Sequence, residues 1–123
     1  MLFRSYQLLS TNPVPVPTSG AFAGGGSAPT ALLRYRRIGT AVTAIGSVTI
    51  PTGGSGTAGG GIKVPIPFVP TASGFIGAED ASAGVLLLAY VNVSDANIYL
   101  WLPGFVNAVA DNKTYYFSGQ YAG

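Results

Sequence analysis

Arg34-Tyr35-Arg36-Arg37-Ile38-Gly39, then Thr40 to Ile50, a glycine-rich turn, and Ile62-Lys63-Val64-Pro65-Ile66-Pro67-Phe68 together form the stretch that decides the fold. Val42, Ala44, Val48 and Ile50 occupy even positions with Gly46 between them. Thr43, Ser47 and Thr49 occupy odd ones, and Ile45 is the apolar exception. Alternation at period two with β-branched residues predicts a strand with one buried face. The second segment repeats the pattern: Ile62, Val64, Ile66 and Phe68 face one way, Lys63, Pro65 and Pro67 the other. Residues two apart direct their N–H groups to the same edge, so Pro65 and Pro67 strip donors from one edge. That segment is expected to be an edge strand, or to end its pairing there. Such an edge also resists unwanted strand addition.

Between the two strands lies Gly54-Ser55-Gly56-Thr57-Ala58-Gly59, formally a G-x-G-x-x-G string. A dinucleotide site needs a helix after that string, whose N-terminus holds the pyrophosphate. An alternating strand with two prolines follows instead, which predicts a flexible hairpin loop.

Working outward, residues 1–30 read as an extended arm and residues 31–123 as one β-sandwich domain. Asn12-Pro13-Val14-Pro15-Val16-Pro17 places proline at every second position, which favours extended backbone and blocks helix. Gly20 to Thr30 is rich in small residues. Phe3, Tyr6, Leu8 and Leu9 are too apolar for a free tail and suggest an arm that docks on a neighbouring subunit. On the other side, residues 69–84 read as a long loop carrying Glu79-Asp80. Val85 to Val91 shows no alternation, as in a strand buried on both faces, and this suggests contact with a second subunit. In the strand Ile98 to Leu102, Tyr99 and Trp101 share a face expected to be core or interface, with a sugar-stacking platform as the alternative. Leu86, Leu88, Tyr90, Tyr99 and Trp101 are the candidate interface residues. Pro103-Gly104 breaks that strand, Asp111-Asn112-Lys113 makes a turn, and Thr114 to Tyr121 closes the sheet. The whole reads as an all-β, antiparallel β-sandwich, jelly-roll-like, with an extended Pro/Gly-rich N-terminal arm.

The composition narrows function. The 123 residues include six basic and four acidic ones, where a globular chain carries about a quarter charged. Hydrophobic residues make up 48%. Ten charges thinly cover a surface on the order of 6,000 Å², so much of that surface is expected to be covered by copies of the chain or by a larger assembly. A net charge of +2 argues for neither nucleic acid nor an anionic membrane. The apolar run Ala81 to Val93 is shorter than the ~20 residues of a membrane helix. Met1 to Gln7 lacks the apolar core of a secretory signal. With no cysteine there is no disulfide to report a redox compartment.

The absence of histidine and cysteine removes Ser-His-Asp and Cys-His nucleophile systems and the usual zinc sites. Glu79, Asp80, Asp95 and Asp111 are too dispersed for a calcium loop. Glu79 and Asp80, if extended, point to opposite sides rather than facing each other as a glycosidase pair. No catalytic, cofactor or metal residue is assigned, and an enzyme is not expected. In a strand, Arg34 and Arg36 face away from Tyr35 and Arg37, which splits the one basic cluster.

The aromatic-Arg-Arg-Ile-Gly segment, the alternating strand, the Gly/Thr-rich turn and the strand ending in Pro67-Phe68 resemble a recurrent domain of tailed-phage virion proteins. Gly77-Ala78-Glu79-Asp80-Ala81-Ser82-Ala83-Gly84 is similar to that family's polar turn before a hydrophobic strand. Phe117-Ser118-Gly119-Gln120-Tyr121 is similar to its closing strand. The resemblance covers roughly residues 31–123. It implies a homotrimer at the surface of a phage particle, in contact with other virion proteins of capsid or tail. The expected role is a non-enzymatic accessory subunit, a capsid decoration or spike protein held by its N-terminal arm. A chain that begins at Met1 without a fibre shaft favours this role. The alternatives are a tail-fibre or tail-tip protein that recognises a host surface glycan, and a soluble sugar-binding module.

Overall fold

The computed structural model describes residues 8–123. Ten strands form: β1 (Leu9–Thr11), β2 (Val16–Ser19), β3 (Thr30–Ile38), β4 (Ala41–Ile50), β5 (Gly59–Pro65), β6 (Gly74–Asp80), β7 (Val85–Leu86), β8 (Leu88–Val91), β9 (Asn97–Trp101) and β10 (Lys113–Ala122). A three-residue 3-10 turn at Gly25–Ser27 is the one helical element among the described residues. Every pairing is antiparallel, in the order β1-β3-β4-β10-β6-β8-β9-β5-β2, with β7 also on β6. The sheet curls over at β6. Gly77 to Glu79 pair with β10, while Gly74 to Ile76 pair with β8. One strand thus belongs to both layers, and the antiparallel sandwich is a single sheet folded like a half-barrel.

The alternation expected of β4 and β5 is what packs the interior. Val42, Val48 and Ile50 from the first half of the sheet and Ile62, Val64, Ile98 and Leu100 from the second are fully buried in one cluster. Burying each such side chain contributes about 2 kcal/mol. Ile45, the exception to the pattern, points outward and is 38% exposed. The prolines act on one edge only. The Ile66 N–H donates to the Ala96 carbonyl on the β9 side (3.0 Å), so the Pro65 and Pro67 nitrogens face β2. There the pairing ends at Lys63 opposite Val16. Pairing therefore stops where the prolines said it would, but β5 is not an edge strand, because β2 covers its earlier residues.

The N-terminal segment is extended, and its described part lies on this chain's own sheet. β1 pairs with β3 and β2 with β5, so two consecutive strands occupy opposite ends of the sheet order. Residues 12–15 cross the open side between them. Pro15 turns inward and is buried, whereas Val14 is 73% exposed. Within β2, the Thr18 hydroxyl accepts the Gly61 N–H (2.9 Å), so a side chain supplements an irregular edge ladder.

Three local expectations change. The glycine-rich turn is followed by a strand, as expected, but it is not a hairpin: β4 and β5 lie in different halves, and the turn carries the chain between layers. It is also braced. The Asp111 carboxylate accepts the N–H groups of Gly53 (2.8 Å) and Ser55 (3.0 Å). From the other side, Thr57 donates to the Ala21 carbonyl and Ala23 to that of Gly54. Second, residues 69–84 are not all loop, since β6 alternates with Ile76, Ala78 and Asp80 inward. A buried aspartate stood where an apolar residue was expected, and it hid the strand. Third, residues 85–91 are not buried on both faces. The run splits at Leu87, whose N–H donates to the Ala78 carbonyl (2.9 Å). Leu87, Ala89 and Val91 face the core, while Leu86, Leu88 and Tyr90 face outward. An all-apolar run carries no periodicity from which to read this.

Candidate functional site

The placement of the acids bounds the chemistry. Asp80, almost fully buried, meets the Lys113 ammonium at 2.7 Å and accepts the Ser82 hydroxyl at 2.7 Å. Lys113, above all, holds its carboxyl below the usual aspartate range. Asp95 accepts the Tyr99 hydroxyl (2.5 Å) and the Asn97 amide (2.7 Å). That bond and burial push the Tyr99 phenol up to about 12. The Ser55 side chain and the two loop N–H groups hold Asp111 low. Glu79 points outward, opposite in sense to Asp80, as extended backbone requires. Three of the four acids thus brace loops and strand ends. Among the described residues, no group of three or more acidic side chains could hold a metal.

The basic cluster is divided as expected. Arg37 lies over the Phe68 ring at 5.0 Å and donates through Nε to the Gly39 carbonyl (2.9 Å). Tyr35 meets the same ring edge-on at 6.0 Å. Arg34 lies on the outer face, exposed.

The features without an internal explanation are on the two outer faces. In the second half, register lines up Phe75, Tyr90, Tyr99, Lys63 and Val16 across five strands. In the adjoining row Leu88 pairs with Trp101, which lies beside Gly61. Tyr90 and Tyr99 stack with centroids 5.2 Å apart and planes at 7°. The Trp101 indole lies over Gly61, where an added Cβ would fall 2.5 Å from the ring, and its N–H donates to the Tyr90 hydroxyl (3.1 Å). Phe105 closes the group, edge-on to Trp101 (5.6 Å) and to Tyr90 (6.1 Å).

Four of the five residues expected at an interface, Leu88, Tyr90, Tyr99 and Trp101, therefore form one outward surface. Tyr99 and Trp101 are half-exposed there rather than part of the core. Leu86, 75% exposed, lies one pair further along, beside Glu79. Of the expected docking residues, Leu8 and Leu9 start the described chain, with Leu9 paired to Tyr35 and 60% exposed. Phe3 and Tyr6 lie outside the described residues.

On the outer face of the first half, register joins Leu32, Ser47, Tyr116, Glu79 and Leu86 in one row. Ile45 lies in the next. Gly77, lacking a side chain, leaves a groove of about 350 Å³ between Ile45, Tyr116 and Leu86. Sequence reasoning missed Phe75 and Phe105. Phe75 lies in the strand hidden by Asp80. Phe105 follows the strand-breaking Pro103-Gly104, where nothing in the sequence indicates which way a ring will point.

No protein-family model, curated protein or solved structure matches this chain.

Proposed function

We propose that this chain is a non-enzymatic virion structural protein of a tailed phage, an exposed accessory subunit of the decoration or spike type that associates with copies of itself. The observation that carries the reading is the outer face of the first half of the sheet. Leu32, Ile45, Tyr116 and Leu86 are each between 38% and 75% exposed there, on a chain with ten charges to keep it soluble. Arg34 on β3 and Glu79 on β6 lie on that face, three strand spacings or about 14 Å apart. A head-to-tail contact would pair one copy's Arg34 with the next copy's Glu79 over the apolar centre. A head-to-tail contact closes into a ring when its rotation is a whole fraction of a turn, and the homotrimer that the sequence resemblance implies would be such a ring.

Attachment to the particle falls to the N-terminal segment. Leu9, Val14 and Val16 point outward and are exposed although the backbone beneath them is paired or packed. Partners of this kind are other virion proteins, and the localisation is the particle surface.

The test is immunogold electron microscopy of purified particles, with sedimentation of the isolated chain. Label on heads supports decoration, and label on tails supports the tail-tip alternative. Particles without label, with the epitope shown to be accessible, would leave a soluble binding module. In sedimentation, Ile45→Lys with Tyr116→Lys should convert the oligomer to monomer. An unchanged oligomer would remove the proposed contact face.

A further inference from the structure

We propose that the cleft between Phe75 and Phe105, on the outer face of the second half of the sheet, binds one neutral pyranose unit of a glycan. The cleft measures about 420 Å³, within the range of about 300–1,000 Å³ usual for small-ligand sites. Its walls are aromatic. Phe75 is 79% exposed and Phe105 60%, and Tyr90 lies between them. Tyr90 is the cross-strand partner of Phe75 and meets the Phe105 ring edge-on.

Phe105 is also held at a cost. Its φ of 61° lies in the left-handed region that bulky side chains avoid. It follows Gly104 (φ 79°) in a three-residue turn closed by paired hydrogen bonds between Leu102 and Val106. A strained backbone that holds an apolar ring in solvent instead of in the core points to a ligand for that ring.

The polar groups set the ligand class. Ser73 and Asn92 line the same cleft. The Ser73 oxygen accepts the Val93 N–H (3.0 Å), which leaves its own hydrogen to donate. The Asn92 side-chain amide has no partner among the described residues and offers both a donor and an acceptor. No charged residue lines the cleft. An uncharged ligand with an apolar face and a hydroxylated edge fits these walls. A pyranose has both: axial C–H groups for the aromatic rings, and equatorial hydroxyls for Ser73 and Asn92. Trp101, the residue that sequence suggests first for sugar stacking, is less available, since Gly61 covers one side of its indole and Phe105 packs against it.

This inference does not depend on the virion reading, because a phage tip and a soluble module could use the site alike. The experiment is NMR on the full chain with the neutral methyl glycosides of glucose, galactose, mannose and N-acetylglucosamine, and with a methyl glucuronide as the charged comparison. At least one neutral glycoside should receive saturation from the protein at its ring C–H protons. The accompanying amide shifts should centre on Gly74, Phe75 and Asn92. Phe75→Ala and Phe105→Ala should each weaken binding about tenfold, and Asn92→Ala should weaken it while the amide spectrum elsewhere stays native. Gln120→Ala, on the opposite outer face, should leave it unchanged. The proposal is overturned by no transfer to any glycoside, by shifts centred elsewhere, by binding that survives both phenylalanine variants, or by preference for the glucuronide.

Discussion

Each half of the sheet lays an aromatic ring across a glycine on the neighbouring strand, but on opposite faces. In the first half Phe117 lies over Gly46 on the inner face, and the ring is 2% exposed. In the second half Trp101 lies over Gly61 on the outer face, and the ring remains half-exposed. The first arrangement fills the core and leaves an outer surface that is mostly aliphatic, with Tyr116 its one large ring among the described residues. The second places the aromatic mass outside, where it builds a surface. Identical local devices thus serve packing in one layer and presentation in the other, depending on which way the strand's odd and even positions point.

One methyl group added at each glycine should separate the two layers most strongly. At Gly46 a Cβ would fall 2.2 Å from the Leu32 carbonyl oxygen, which is backbone, and 2.6 Å from the Phe117 ring. Gly46→Ala is expected to cost about 3 kcal/mol or more in urea denaturation. At Gly61 the three nearest atoms all belong to the half-exposed Trp101 side chain rather than to backbone, so Gly61→Ala should cost about 1–2 kcal/mol. Equal losses would show that Trp101 is as firmly packed as Phe117.

The ion pair where β6 meets β10 tests the inner layer next. Lys113→Met leaves the Asp80 carboxylate buried without its cation and should cost about 2–3 kcal/mol. Because the folded-state pKa of Asp80 is lowered, its contribution is present above the ordinary aspartate pKa of 3.8 and is lost as pH falls below it. Wild-type stability should therefore drop on acidification below about pH 4, and Lys113→Met should flatten that drop. An equally steep acid limb in the variant would show that other carboxylates govern it.

At the alkaline end the sign reverses. Tyr99, Tyr115 and Tyr121 are each pushed up to about 12 from 10. Their stabilisation is complete below pH 10 and is lost as pH rises through 12. The causes divide by face: burial for Tyr115 and Tyr121 inside, the Asp95 hydrogen bond first for Tyr99 outside. Asp95→Asn should bring the Tyr99 phenol back towards 10 in a spectrophotometric titration and leave the two inner ones unmoved. The smallest effect is expected at Asp111. Asp111→Ala should speed amide exchange at Gly53 and Ser55 with little change in melting temperature, because only a surface loop loses its brace.

How much of this was legible depended on whether a residue obeyed the face it lay on. β4, β5 and β10 could be read directly because β-branched and aromatic residues alternate with polar ones. β6 could not, because Asp80 occupies an inward position that depends on the Lys113 cation, 33 residues on. The aromatic face was half legible. Tyr99 and Trp101 stood out as a pair, whereas Phe75 and Phe105 joined them through pairings and a turn that the local sequence does not specify.

By itself the sequence determined the all-β antiparallel class, the inward faces of β4 and β5, the end of pairing at Pro65 and the division of the arginines. These follow from local physics: the two-residue period of a strand, the missing N–H of proline and the opposite pointing of neighbouring side chains. Tertiary structure alone decided that the glycine-rich turn crosses between layers, that Leu87 divides an unbroken apolar run, that Asp80 is buried, and that four aromatic rings meet outside the core with Phe75 beside them. Each of these depends on a partner distant in sequence, and strand order and register are set by the packing of the whole sheet rather than by any one segment of it.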